Sequence, residues 1–427
     1  MTKTTSRGWA QESPPASEFG AIAAAHDRCF WLDGAATRPW SGHRSILGWL
    51  TDQDVSLSFS AARGEVTRHV GERSEVVGHD IFTALREAVA DDATDGQETL
   101  WVGWFGYACR PDLPARAGND EMPDAVWMRA RHTHVITHEP GDADGPAVTT
   151  PPPSGRPVVP PGYAAAFDQV QESLHAGDSY EVNLTHRRTV SSPAEPVATY
   201  LRLRELNPAP YAGFLQHRGS WLLSASPERY ATVNGDGVLE TRPIKGTTPR
   251  GSTPQLDEQS RHHLVSDPKF RAENLMIVDL LRNDVGMVCD AGTVEVPQLM
   301  EVESYTSVHQ LVSAVRGRLR EGIGTIDALR ALFPAGSMTG APKLRTMEVI
   351  EAVEATPRGV YSGAFGWIAP DGRADLAVII RSLTTTGDGT WTLGTGGGIT
   401  VKSDVEEEYA EATWKAERLL RALGSGP

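Results

Sequence analysis

Residues 224–251 read SASPERYATVNGDGVLETRPIKGTTPRG. Asn234-Gly235-Asp236-Gly237 is a turn signal between two alternating segments, the pattern of a β-hairpin. With those four residues as the loop, Val233 faces Val238, and counting back puts Glu228 opposite Pro243. Lys245 then falls on the face of Glu228, one diagonal step along, roughly 7–8 Å away at Cα. An acid and an amine would point into one space. Pro243 lacks a ladder donor and marks an edge or a bulge. An arbitrary Glu/Lys pair on a hairpin is more often a surface ion pair, so the residues further along the chain decide between the readings.

Outward from this hairpin the chain mixes strands and helices. The spacing predicts helices over Asp80–Ala90, Tyr163–Ala176 and Asp404–Leu423, and strands over Leu100–Tyr107 and in SYEVNLTHRRTV. There is no solenoid-type repeat, and the mixture predicts an α+β or α/β fold built on antiparallel meanders. Residues 1–20 read as a loose polar tail and residues 21–138 as an N-terminal region. Residues 139–162, EPGDADGPAVTTPPPSGRPVVPPG, are too rich in Pro and Gly for a helix or central strand and read as a loop or linker. Residues 163–427 then form the chemically informative region.

The 427 residues are 40% hydrophobic, which suffices for a large core, and the 42 Gly and 29 Pro speak for a loop-rich enzyme. A net charge of -15 argues against nucleic acid and anionic membrane surfaces as partners. Cys29, Cys109 and Cys289 form no CxxC pair, which fits a reducing cytoplasm. No secretory signal or transmembrane stretch is expected.

Two helices carry carboxylates. DPKFRAENLMIVDLLRNDVG, 267–286, is apolar around nearly its whole circumference and is expected to be buried, so Glu273 needs a partner or a cation. Asp279, Arg282 and Asp284 are expected to pair among themselves. On the last helix Glu408, Glu411 and Lys415 share one face, which is also what a solvated face with a Glu411–Lys415 ion pair would look like; Glu406 and Glu407 read that way. Glu273 and Glu411, if brought together, would make a hard-oxygen magnesium site completed by waters and a substrate carboxylate.

LFPAGSMTGAPK, 332–343, is a Gly/Pro-broken loop. GTGGGI, 394–399, reads as a strand end and a glycine turn whose N–H groups could cradle a carboxylate. Neither is a Walker A motif. Between them GVYSGAFGWIAPDGRADLAVIIRSL reads as a hairpin turning at Asp371-Gly372, with Tyr361 and Arg381 near its open end. Arg381 is a candidate carboxylate fork, or one half of a structural salt bridge.

Taken together, residues 160–425 resemble the chorismate-utilising enzymes of the anthranilate synthase component I family: the anthranilate, aminodeoxychorismate, isochorismate and salicylate synthases. The resemblance rests on SPE (226–228), RPIKGT (242–247), ENLMIVDLLRND (273–284), SVHQLVSAVRG (307–317), LFPAGSMTGAPK (332–343), RGVYSGAFG (358–366), IIRS (379–382), GTGGGI (394–399) and EEEYAEATWKA (406–416). FWLDG (30–34) fits more loosely. The resemblance implies an α/β sandwich of two interleaved subdomains with largely antiparallel sheets and flanking helices.

It implies further that Glu273 and Glu411 bind Mg2+, with Glu408 acting through water. Glu228 would be the general acid at the departing C4 hydroxyl, protonated because burial raises its pKa. Gly246, Thr247, His309, Ser337, Tyr361, Arg381, Gly396, Gly397, Gly398 and Lys415 would line the substrate site. Lys245 discriminates within the family: PIKGT is typical of the members that aminate C4, and PIAGT or PLAGT of anthranilate synthases. The lysine would attack C2 of chorismate as the C4 hydroxyl leaves and be expelled when ammonia adds at C4, which calls for a depressed amine pKa.

Glu181 stands where isochorismate-forming members place a lysine and C4-aminating members often a glutamine, and its role is left open. Phe270 replaces an acidic residue near Glu273. With no recognisable glutaminase segment, ammonia is expected from a separate amidotransferase subunit in a heterodimer, or from ammonium. FWLDG departs from the LLES pattern of tryptophan-regulated members, so that feedback is not expected. The leading expectation is 4-amino-4-deoxychorismate, for 4-aminobenzoate and folate or for an arylamine metabolite. The alternatives are an anthranilate synthase component I, a 2-amino-2-deoxyisochorismate synthase, or a non-catalytic chorismate-binding regulatory subunit.

Overall fold

The computed structural model describes residues 16–34, 44–93, 99–119, 121–138, 157–305 and 308–424. Two large sheets pack face to face, and every strand pairing described in them is antiparallel. One has nine strands, from Gly340–Ala341 through Glu181–Ser191 and Thr390–Ile399 to the edge strand His132–Thr137. The other has twelve, from Ile244–Pro249 and Val308–Arg318 to the edge strand Arg73–Gly78. The α+β expectation holds.

The layers follow from what each strand must bury. Phe30, Ile46, Leu215 and Leu222 of the first sheet pack against Val102, Trp104, Met128 and Phe365 of the second. The outer face of the first sheet is covered by helices Ala16–Ala25, Pro196–Leu206 and Val405–Ala422 through Phe19, Tyr200, Leu203 and Leu419. The outer face of the second is covered by Ile81–Ala93, Pro268–Gly286 and Thr325–Leu332 through Phe82, Leu85, Ile277, Leu281 and Leu329. Strands caught between a sheet and a helix layer bury both faces, which is why Leu100–Phe105 is a continuous apolar run.

The predicted helices lie within a few residues of their expected ends, at Ile81–Ala93, Pro161–His175 and Val405–Ala422. Asp404 caps the last, its side chain accepting the Glu407 N–H. No helix among the described residues is long and apolar enough to cross a membrane, and the three cysteines are buried free thiols.

Several expectations are corrected. The tail ends earlier than residue 20: Phe19 sits inside helix Ala16–Ala25, fully buried, its ring 5.1 Å from that of Trp31. Residues 1–15, and 139–156 of the proposed linker, lie outside the described residues. The regions on either side of that segment interleave, as the resemblance implies. Arg28–Asp33, Arg44–Trp49 and His132–Thr137 complete the first sheet, and five other strands from before residue 131 extend the second. Helix Pro268–Gly286 is not buried all round. Its Ile277, Val278, Leu281 and Val285 face the sheet while Leu275 is 55% exposed, because a helix lying on a sheet has only one inner face. Arg282 does pair with Asp279 (3.4 Å), but Asp284 pairs with Lys343 of the neighbouring helix (2.7 Å).

Candidate active site

Two of the corners at which the chain crosses between the sheets carry a charged residue of the site. Ser220–Ser226 lies in the first sheet and Arg229–Val233 in the second, so Glu228 stands in the first crossing. Ala374–Val378 lies in the second and Ser382–Thr385 in the first, so Arg381 stands in the other. Arg381 has φ +51, a conformation costing about 1–3 kcal/mol in a side-chain-bearing residue and concentrated at functional sites. The crossings are tied together, Val378 N–H donating to Glu228 O (3.0 Å) and Ala225 N–H to Arg381 O (3.1 Å).

The hairpin that opens the sequence reading forms with its register slipped at the turn. Val233 pairs with Leu239, not Val238, because Asn234 Oδ1 accepts the N–H groups of Asp236 and Val238. A bulge between Arg229 and Thr232 undoes the slip and restores Arg229 opposite Arg242, so the predicted register returns where the site lies. Beyond Pro243 the strand continues along the same neighbour, Thr241 facing Val315 and Ile244 facing Val312. A second irregularity follows at Lys245-Gly246, where Gly246 has φ +92.

Between the corners and this bulge lies a cavity of about 150 Å³. Glu228, Lys245, Gly246, Thr247, Glu273, Ser337, Tyr361, Arg381, Gly396, Gly397, Gly398, Glu408, Glu411 and Lys415 all line it. Glu228 and Lys245 are buried in it, not a surface ion pair. Burial pushes the Glu228 carboxyl up to about 7, against the opposing pull of the Ser337 hydroxyl (2.6 Å), Lys245, the Ile244 N–H and Arg381. The acid is thus poised near neutrality. Arg381 has no hydrogen bond or ion pair from its guanidinium among the described residues, and burial lowers it to about 10. It is left free for an anionic ligand.

His309 alone among the expected residues lies elsewhere. It is buried against Asp257 (3.1 Å) and Ser304 (2.8 Å), on the face of strand Val308–Arg318 toward helix Pro254–Ser266. Strand alternation gives the cavity to its neighbour Gln310 instead. GTGGGI is also not a turn: Gly396, Gly397 and Gly398 pair with Thr185, Leu184 and Asn183 inside the strand Thr390–Ile399. Their bareness makes room. A Cβ on Gly394 would lie 2.2 Å from the Tyr361 ring, and one on Gly398 2.1 Å from Glu181 Oε1.

Lys245 forms a buried ion pair with Glu181. Burial alone would lower the amine's pKa, but Glu181, Glu273 and Glu228 more than offset that, and the net shift is upward. The expected depressed pKa is not what the resting site holds: three carboxylates around one amine keep it an ammonium.

Around the remaining carboxylates, Glu408 accepts from Lys269 (3.0 Å) and Ser403 (2.7 Å). Glu411 pairs with Lys415 (2.6 Å), whose charge holds its carboxyl below the usual range. Glu273 differs. Its Oε1 is buried without a hydrogen-bond partner, and desolvation by burial raises its carboxyl to about 7. Among the described residues no three His, Cys, Asp or Glu side chains stand close enough together to hold a metal ion between them. Phe270 packs at Gly246, its ring 3.2 Å from where a Cβ would stand. Lys269, Gln310 and Asn183 also line the cavity and were not singled out in the sequence; strand alternation around Gln310 and the helical spacing from Lys269 to Glu273 were the available signals.

Residues 28–421 match the family model described as chorismate binding enzyme. The chain belongs to this family. It is 37% identical to an aminodeoxychorismate synthase of Streptomyces pristinaespiralis, over 95% of this chain and 63% of that one. It is 44% identical to aminodeoxychorismate synthase component 1 of Salmonella typhimurium, over 61% of this chain and 57% of that one. Its fold superposes with TM-score 0.73 on anthranilate synthase component I from Streptococcus pneumoniae, at 25% identity, covering 90% of this chain and 93% of the other. The chain therefore spans less than two thirds of the length of the Streptomyces relative.

Proposed function

We propose that this chorismate binding enzyme aminates chorismate at C4 to give 4-amino-4-deoxychorismate. The observation that carries the reading is an amine, Lys245, buried in one cavity with an acid held near pKa 7, Glu228. Arg381 and Lys415 supply positive charge for the substrate carboxylates. Glu228 in its protonated form gives its proton to the departing C4 hydroxyl. The Lys245 amine bonds to C2 as that hydroxyl leaves as water. Ammonia then adds at C4 and Lys245 is expelled. Ammonia comes from a glutaminase unit outside these residues, for which ammonium substitutes in an assay.

Glu273 and Glu411 would hold Mg2+, with Glu408 acting through water. The unpartnered Glu273 Oε1 suits such a cation, and Mg2+ takes only one or two protein carboxylates, waters and substrate oxygens completing its shell. Bound there, the ion would supply positive charge for a substrate carboxylate. One consequence can be measured without turnover. Glu273 must give up a proton to bind, and its carboxyl stands at about 7. Mg2+ affinity is therefore expected to fall about tenfold per pH unit below neutrality. At pH 8 and 100-fold over its Kd, Mg2+ should stabilise the fold by about 2.7 kcal/mol in a thermal melt. The gain should shrink at pH 6 and vanish in Glu273→Gln; an equal gain in that variant would place the ion elsewhere.

The reading is tested by incubating the chain with chorismate, Mg2+ and ammonium and identifying the product by chromatography and mass spectrometry. 4-Amino-4-deoxychorismate supports it. Anthranilate would return the chain to the second reading, an anthranilate synthase component I, which the fold match to the Streptococcus pneumoniae protein keeps in view.

A further inference from the structure

The Glu181–Lys245 pair joins the two sheets at the cavity, which Lys245 lines. Glu181 opens strand Glu181–Ser191 of the first sheet and is fully buried; Lys245 sits at the bulge of strand Ile244–Pro249 in the second. Glu181 is the ion-pair partner of Lys245 among the described residues. Its other oxygen, Oε2, is buried with no hydrogen-bond partner, so the carboxylate is held by the lysine and not by a network of its own. The space for it comes from Gly398, where any Cβ would lie 2.1 Å from Oε1 and 3.2 Å from Nζ. A buried carboxylate oriented by nothing except the reacting amine is an unusual expense for a fold.

We propose that Glu181 is the proton acceptor for Lys245: it holds the amine as an ammonium in the resting site, takes one of its protons to make it a nucleophile, and returns that proton when the lysine is expelled. This rests on the C4-amination reading. The steps balance. The Lys245 ammonium and Glu181 carboxylate become a neutral amine and a carboxylic acid. The amine bonds to C2, Glu228 protonates the leaving C4 oxygen, and water departs. The lysine nitrogen is now a secondary ammonium. Ammonia bonds to C4, the C2–N bond breaks with its electron pair returning to lysine, and the neutral amine recovers its proton from Glu181. The C4 ammonium gives one proton back to Glu228.

Other charged groups face the pair. Glu273 approaches from helix Pro268–Gly286, Glu228 from the sheet crossing and Glu411 from the last helix, and each interacts with the amine electrostatically. None of these three forms an ion pair with Lys245 in the structure, so the short path for a proton runs to Glu181.

The test compares wild type, Glu181→Gln and Glu181→Asp from about pH 6 to about pH 9, with chorismate, Mg2+ and a constant concentration of free ammonia. In wild type Glu181 takes the proton of the amine within the site. In Glu181→Gln the amine must lose its proton to solvent. The rate of the variant relative to wild type is therefore expected to climb about tenfold per pH unit until its lysine titrates. Titrations not coupled to Glu181, that of Glu228 included, cancel in the ratio, and Mg2+ is kept saturating because Glu181 does act on Glu273. Glu181→Asp keeps a carboxylate and should show a flat ratio at a lower level. A flat ratio for Glu181→Gln, the result of a merely structural role, would overturn the proposal. A second readout needs no turnover: the pH midpoint for trapping Lys245 with pyridoxal phosphate and borohydride, located by peptide mass spectrometry, should fall in Glu181→Gln, and an unchanged midpoint counts against the proposal. If wild type makes no 4-amino-4-deoxychorismate, the C4-amination reading fails and takes this proposal with it; if Lys245→Ala makes it at the wild-type rate, C4 amination stands but the covalent role of the lysine fails, and this proposal with it. If that reading holds and only the ratio is flat, Glu181 alone is misassigned.

Discussion

Lys245→Ala is expected to lower formation of 4-amino-4-deoxychorismate by about 10³-fold or more, since the residue proposed to bond to C2 is gone and no other amine takes its place. Of the other lysines lining the cavity, Lys269 is engaged by Glu408 and Lys415 by Glu411. The variant also leaves Glu181 as a buried carboxylate without its partner, a change that costs about 3–5 kcal/mol when one member of a buried pair is removed. A lower melting temperature should accompany the lost activity. Glu181→Gln combined with Lys245→Ala separates the two effects: it should recover much of the stability and none of the rate. Steady-state kinetics and thermal melts on the three proteins decide it. Undiminished turnover by Lys245→Ala would remove covalent participation of the lysine altogether.

Glu228→Gln is the second large effect. The amide keeps the shape and cannot donate the proton, so kcat is expected to drop by about 10²–10⁴. The wild-type pH profile follows from the same group. In the proposed reaction Glu228 works in its protonated form, and burial pushes its carboxyl up to about 7 by disfavouring the charged state. Activity at constant free ammonia and saturating Mg2+ should therefore hold on the acid side and decline about tenfold per unit as pH rises above that value. Glu228→Gln should lose this descending limb along with its activity. A limb that persists in the variant belongs to another group.

Much of this was legible along the chain. The alternation before and after Asn234-Gly235-Asp236-Gly237 predicted the hairpin, and the acid and amine do share one space. Helix ends were marked by local signals such as the Asp404 cap. The matched motifs named nearly every residue of the cavity. The errors have a common origin. The hairpin register slipped at the turn because Asn234 caps it with its own side chain, and its recovery depends on a bulge that alternation cannot announce. His309 was placed in the site through its motif, but the face of the strand it occupies is fixed by the pairing of Val308–Arg318 with its neighbours. The glycine run was read as a turn because glycines often are; inside a strand they serve instead to keep Cβ atoms away from Tyr361 and Glu181.

By itself the sequence determined the local elements, the antiparallel α+β class, the family and the chemical types at the site, because each of these is written in short-range periodicity or in contiguous motifs. Tertiary structure alone decided how the two regions share both sheets, since strand partners far apart in the chain leave no local trace. It also decided the state of the nucleophile. Whether a lysine is a free amine or an ammonium depends on which charges surround it. Those surrounding Lys245 come from residues 181, 228 and 273, brought together only when the sheets close on one another.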